Sequence, residues 1–379
     1  MEYEMLKPFA KPIYVTRPLL PDIAEVEKKL EEIWESQWLT NCGPKHRELE
    51  EALTQRLEVP YLSLFNNGTT ALMIACQALR LSGEVITTPF TFAATPHVLA
   101  WNNIKPIFCD VDSKTMNIDA AKIERMITPQ TTAILAVHVF GTPCDVEAIQ
   151  KVADYYVLKV VYDAAHAFDV KVNGVGIGNF GDVSAMSFHA TKLYHTVEGG
   201  ALMHNNPHLK QRIDFLKNFG IKSEEEVVMP GINGKLNEIS SAIGLLTLNL
   251  ADQERAKRQR LIEVYREELA DVPGLVLPYI PPGVQMNSQY FVLRIKEREF
   301  GISRDKVYDA FHPYNVFTRK YFHPLCSEYT CYRQLPSANP SNLPQAVQIG
   351  QEVLSMPLYG TLEEDDVRKI CTIMKGMRP

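Results

Sequence analysis

Between residues 61 and 204 the chain alternates short apolar runs with stretches of helical period, and this alternation narrows the fold more than any other feature. Strands are expected at 61–64, 84–87, 105–109, 133–137, 157–162, 183–187 and 201–204. Strands separated by helical patterns imply right-handed βαβ crossovers and a mostly parallel sheet between helices, an α/β fold. Ahead of this region lie an extended arm (1–17), a helix over 21–36 opened by Pro21 and Asp22, the loop WLTNCGP (38–44) and an amphipathic helix over 45–57. After it come a helix over 208–219, a loop through Pro230 and Gly231, and a strongly helical stretch over 236–270, long enough for one bent helix or two. Beyond residue 275 a strand over 288–295 alternates with helices over 304–311 and 344–354. The expected division is a large unit over 1–250, carrying the arm, and a smaller α/β unit over 251–379.

Charge and cysteine usage remove several function classes. With 39 basic and 45 acidic residues the net charge is -6, which gives no electrostatic case for nucleic acid or an anionic membrane. No apolar run approaches the roughly 18 residues of a membrane-spanning helix. The first residues, MEYEMLKPFAKP, lack the apolar core of a signal peptide. Seven scattered cysteines with no CxxC pair read as reduced thiols of a cytoplasmic protein, and no metal site is expected.

Three stretches carry chemistry. In VSAMSFHATKLYHTVEGGALM (183–203) a strand gives way to a polar turn bearing Ser187, His189, Thr191 and Lys192, followed by Glu198 and two glycines. A lysine amine held after a strand, beside tight glycine turns, can form a Schiff base with a carbonyl cofactor; a solvated surface lysine is the plain alternative. In VVYDAAHAFDV (160–170) Asp163 stands where a buried strand stops, the end at which parallel sheets bind ligands. It could serve a ligand or cap a helix. In FNNGTTALMIACQAL (65–79) a strand ends at Asn66-Asn67-Gly68-Thr69 and an apolar helix begins at once, presenting N–H groups and a positive dipole end suited to phosphate.

Taken in order, these stretches resemble the DegT/DnrJ/EryC1/StrS family of fold-type I pyridoxal-phosphate enzymes, the nucleotide-sugar aminotransferases. The resemblance runs from about Ile13 to Pro357 and includes WLTNCGP (38–44), NNGTTAL (66–72), TTPFTFAAT (87–95), DAAHAF (163–168), SFHATK (187–192), EGG (198–200), GKLNEISSAIGL (234–245) and TRKYFHPL (318–325).

The resemblance implies a role for each matched residue. Lys192 would hold pyridoxal 5'-phosphate and move protons while the cofactor passes through its pyridoxamine form. Asp163 would keep the ring nitrogen protonated, and His166 would sit beside the ring oxygen. Phe92 would stack on the ring, with Phe90 as the competing choice. Gly68, Thr69 and Ser187 would bind the phosphate. Lys235, where some members carry Asn, would reach the phosphate of the partner subunit, making an active site shared across a homodimer. Asn67 departs from the Ser common before the Gly-Thr. Trp38, Thr40 and Asn41 would lie at the sugar-nucleotide entrance. Arg319, Lys320 and Tyr321 would line the nucleotide-sugar pocket, with His189 beside the lysine turn.

The implied reaction moves the amino group of L-glutamate to dTDP-4-keto-6-deoxy-D-glucose, giving dTDP-4-amino-4,6-dideoxy-D-glucose for surface polysaccharide (O-antigen) or glycan synthesis. Two segments, IWESQWLTNCGPKHRELE and VFTRKYFHPL, carry that regiochemistry. Amination at C3 of a dTDP-3-keto-6-deoxyhexose is the alternative. A pyridoxamine-dependent sugar dehydratase is a remote one, because those relatives replace the lysine by histidine. A regulator that only keeps the fold would tend to lose the Asp and Lys pair, which are both present here.

Overall fold

The computed structural model describes residues 7–379, so residues 1–6 of the expected arm lie outside the described residues. Seven strands form one sheet: β1 (Tyr61–Phe65), β2 (Glu84–Thr87), β3 (Lys105–Phe108), β4 (Thr131–Val137), β5 (Lys159–Asp163), β6 (Val183–Ser187) and β7 (Gly200–His204). Their order is β1-β7-β6-β5-β4-β2-β3. Neighbours run parallel except β7, which is antiparallel to both β6 and β1. Continuous burial rather than alternation marks the inner strands, because helices cover both faces. One face packs on Ala71, Leu72, Ile74 and Ala75 of the helix Gly68–Ala78, and the other on Ile149 and Ala153 of the helix Val146–Tyr156.

Strand β5 starts later than expected because Val157, at φ 57°, ends the preceding helix in the left-handed region rather than opening a strand. At its other end β5 runs one residue further. Asp163 stays in the ladder, opposite Val137 of β4 and Ala185 of β6.

The stretch over 236–270 is a single helix, Glu238–Leu269, of 32 residues, or about 48 Å. Asn237 caps it by accepting from the Ser240 N–H at 2.8 Å. Its first half packs on the large sheet's unit. Its second half (Leu261, Tyr265, Leu269) enters a separate core with Phe291, Leu293, Val367 and Ile370. That core belongs to a small antiparallel sheet of Leu275–Val276, Val292–Ile295 and Val353–Ser355, and to the helices Arg304–Phe311 and Glu364–Lys375.

The arm, grouped by sequence with the large unit, packs on the smaller one. Phe9 and Ile13 are buried in its core, and Ile13–Tyr14 pairs in parallel with Val316–Phe317. Among the described residues no helix is long and apolar enough to cross a membrane, and no cluster of side chains is arranged to hold a metal ion. All seven cysteines are free; Cys76, Cys109, Cys144, Cys326 and Cys371 are buried, but Cys331 is exposed.

Candidate active site

Three strand ends meet at the carboxyl edge of the sheet and build one open cavity of about 660 Å³. After β1, Asn67 caps the helix Gly68–Ala78 with its side chain, which accepts the Thr70 N–H at 2.7 Å. The Gly68 and Thr69 N–H groups, in the first two helical positions, have no intrahelical acceptor and remain for a ligand. The departure from Ser at position 67 therefore keeps a capping side chain. After β6, the segment from Phe188 to Gly199 is closed on itself by Phe188 N–H to Gly199 O (2.8 Å) and Thr196 N–H to Phe188 O (3.0 Å). Lys192 sits within it, its N–H bonded to His189 O at 2.9 Å.

The glycines are steric requirements of this junction. A Cβ on Gly200 would lie 2.7 Å from the Asn67 carbonyl and the Gly68 nitrogen. One on Gly68 would meet Ser187 Cβ at 2.8 Å. The strand carrying Ser187 and the helix start thus touch without side-chain spacers.

Asp163, at the end of β5, is 5% exposed. Its Oδ2 accepts from Thr95 Oγ1 at 2.8 Å and its Oδ1 from the Ala165 N–H at 3.1 Å. Thr95 in turn shares a 2.8 Å hydrogen bond with Thr91. No helix follows Asp163, so the helix-cap alternative falls and the carboxylate faces the cavity. Burial pushes its carboxyl above the usual range, against the Thr95 and Ala165 hydrogen bonds and the Lys192 charge. His166 is also buried, and its Nδ1 accepts the Phe140 N–H at 3.2 Å. A backbone N–H can only donate, so the ring proton is on Nε2. Burial, then the Lys192 charge, hold this imidazole well below its ordinary value and neutral.

Gly68, Thr69, Phe92, Asp163, His166, Ser187, His189, Lys192 and Tyr321 all line this cavity. Phe92 is 63% exposed, whereas Phe90 is fully buried edge-on to Phe140 and Phe322. The two phenylalanines share one local pattern, and only tertiary burial separates them.

Other expected residues are placed elsewhere. Lys320 does not line the cavity: it pairs with Asp305 and lies 4.4 Å from the Tyr308 ring centroid, and these partners hold it away. Arg319 is fixed through its backbone to Ser355 and is absent from the lining. Trp38, Thr40 and Asn41 are exposed on a loop over the start of the long helix, where Glu238 accepts the Lys45 and His46 N–H groups. Lys235 is buried against Asn218 and Phe219, outside the cavity of its own chain.

Residues 22–375 match the DegT/DnrJ/EryC1/StrS aminotransferase family. This chain belongs to that family. It is 45% identical over 370 residues to dTDP-4-amino-4,6-dideoxy-D-glucose transaminase of Escherichia coli, covering 97% of this chain and 99% of that protein. It is 42% identical over 369 residues to the protein of the same name from Shigella dysenteriae, covering 97% and 100%. Among solved structures, DesI in the presence of its TDP-sugar product superposes with a TM-score of 0.93 at 36% identity, covering 98% of this chain and 94% of that one.

The members of this family are pyridoxal-phosphate-dependent sugar aminotransferases, and the cavity of this aminotransferase fits that group. It joins an amine, a buried carboxylate, an exposed aromatic face and a helix N-terminus whose first N–H groups lack partners. Sequence reasoning missed Thr91, Thr95 and Tyr290. Thr95 lies within a quoted motif, but nothing local ties it to an aspartate 68 residues away. The Asn67 cap, by contrast, was detectable as Asn before an apolar helix.

Proposed function

We propose that this aminotransferase transfers the amino group of L-glutamate to C4 of dTDP-4-keto-6-deoxy-D-glucose, and that it works as a homodimer in the cytoplasm. The carrying observation for the chemistry is that Lys192 and Asp163 face one cavity with the helix start at Gly68. The substrate rests on the 45% identity to the Escherichia coli enzyme over nearly the full length of both chains.

When bound, pyridoxal phosphate supplies an electron sink for the carbon that gains or loses the amino group. Lys192 would hold the cofactor through its amine and, as a free amine, would be the group that moves a proton to or from that carbon. Asp163, aimed by Thr95 and Ala165, would keep a proton on the ring nitrogen. Its carboxyl is buried, so an ionic partner there is met at low dielectric and binds strongly. The Nε2–H of His166 would be the donor for the ring oxygen, Phe92 would offer an aromatic face to the ring, and Gly68, Thr69 and Ser187 would hold the phosphate.

A second copy of the chain completes the site. The Phe219 ring (48% exposed) lies 5.2 Å from Lys235 Nζ, and Val227 (67%), Leu39, Ile232 and Ile239 are further exposed apolar side chains suited to burial against a second copy. Lys235 then serves the partner's phosphate, and Trp38, Thr40 and Asn41 meet the sugar nucleotide, with Tyr321 and His189 on the near side. Seven free thiols suit a reducing compartment.

The test incubates enzyme and glutamate with each keto-sugar nucleotide and locates the new C–N bond by NMR. Amination at C4 supports the reading. Efficient conversion of a 3-keto sugar with none of the 4-keto sugar overturns the regiochemistry.

A further inference from the structure

A four-residue strap from the smaller unit, Asn287 to Tyr290, reaches into the lysine site. Asn287 is fully buried, and its Nδ2 donates to the carbonyls of His166 (2.8 Å) and Phe168 (3.0 Å). Its Oδ1 accepts the Gln289 N–H at 3.2 Å. The Gln289 side chain accepts the N–H of Leu193, next to Lys192, at 3.3 Å. Tyr290 ends the strap, its hydroxyl 3.3 Å from Lys192 Nζ. The Tyr290 ring is braced edge-on by His166 (5.0 Å), Phe140 (5.6 Å) and Tyr321 (6.5 Å). One segment thus grips the Asp163–Phe168 turn, the lysine backbone and the lysine amine together.

From this geometry we propose that Tyr290 is a positioning residue for Lys192, its hydroxyl accepting a hydrogen bond from the free amine and holding Nζ toward the reacting carbon. The proposal rests on Lys192 being the amine that takes the cofactor. A lysine side chain has four rotatable bonds, and a braced acceptor at its tip removes most of the orientations in which the amine faces away. The other titratable groups facing Lys192 are Asp163, His166, His189, Glu198 and Tyr321, which line the same cavity.

The test follows capture of pyridoxal phosphate by the full-length apoprotein across pH, by stopped-flow absorbance, for wild type and Tyr290→Phe. Phe keeps the braced ring and removes only the hydroxyl. On the alkaline plateau, where the amine is neutral, loss of one aiming hydrogen bond slows capture roughly tenfold. The acid limb moves to lower pH, because the ammonium loses an acceptor that favoured it. The thermal midpoint of the apoprotein stays within a few degrees. An unchanged rate overturns the proposal. So does a uniform loss with the profile in place, with or without a lowered thermal midpoint, since that marks a packing role. If wild type itself does not capture the cofactor at Lys192, both this proposal and the site reading fail.

Discussion

Replacing Thr95 by Val tests how Asp163 is tuned. Valine keeps the volume and removes the one side-chain hydroxyl that donates to Asp163 Oδ2, at 2.8 Å. A hydrogen bond to an ionised group contributes about 1.5–3 kcal/mol, against about 0.5–1.5 kcal/mol for a neutral one. Burial raises the carboxyl's titration even against the Lys192 charge, and cofactor binding requires the ionised form. At a pH where the free apoprotein's carboxyl is protonated, the difference lost on binding is about 1.4 kcal/mol, or roughly tenfold in Kd. The carboxylate is buried, so little of this is screened. The pH dependence has a definite sign: affinity falls as pH drops through the carboxyl's titration, and the variant, with one stabilising donor fewer, loses affinity from a higher pH. Fluorescence titration of pyridoxal phosphate into both apoproteins over a pH series is the assay. An identical affinity and pH dependence would refute the claim that Thr95 tunes Asp163.

Other outcomes follow from the same geometry. Asp163→Asn removes a buried carboxyl whose ionisation the fold resists, so its apoprotein should be at least as heat-stable as wild type at neutral pH, while turnover falls by about a thousandfold or more; a destabilised apoprotein contradicts this. Gly200→Ala places a Cβ 2.7 Å from the Asn67 carbonyl and Gly68 nitrogen; it should cost about 1–3 kcal/mol in chemical unfolding and weaken cofactor affinity by displacing the phosphate-facing helix start. Mixing inactive Lys192→Ala and Lys235→Ala proteins should restore part of the activity, since one hybrid site is intact. If subunits demonstrably exchange and no activity returns, Lys235 does not act across the dimer.

The large sheet was legible because its signals are local. Strand 183–187 appears with the expected bounds, and the errors at 157–158 and 163 are a helix cap and one further ladder pair. That Gly68, Asp163, Ser187 and Lys192 share one cavity was legible because each lies at or just after a strand end, and the fold brings strand ends together. What failed depends on distant partners. For PFTF the choice of Phe92 over its competitor Phe90 had no local support, and it is tertiary burial of Phe90 against Phe140 and Phe322 that leaves Phe92 in the cavity. That Lys320 pairs with Asp305 beside Tyr308, outside the cavity lining, could not be read from the sequence, because those partners are invisible in a linear reading. Tyr290 is 98 residues from Lys192, in a stretch that read as the start of a strand. The arm, first in sequence, joins the last core because Ile13 pairs beside Val316.

Whether Lys192 is the amine that holds the cofactor of this aminotransferase is tested most directly by one labelling experiment. Enzyme loaded with pyridoxal phosphate is reduced with borohydride, with and without prior glutamate, and the peptides are mapped by mass spectrometry. The expected result is cofactor fixed to Lys192 alone, and loss of both that label and the visible absorbance after glutamate. Cofactor fixed to any other lysine, or a label indifferent to glutamate, would contradict it.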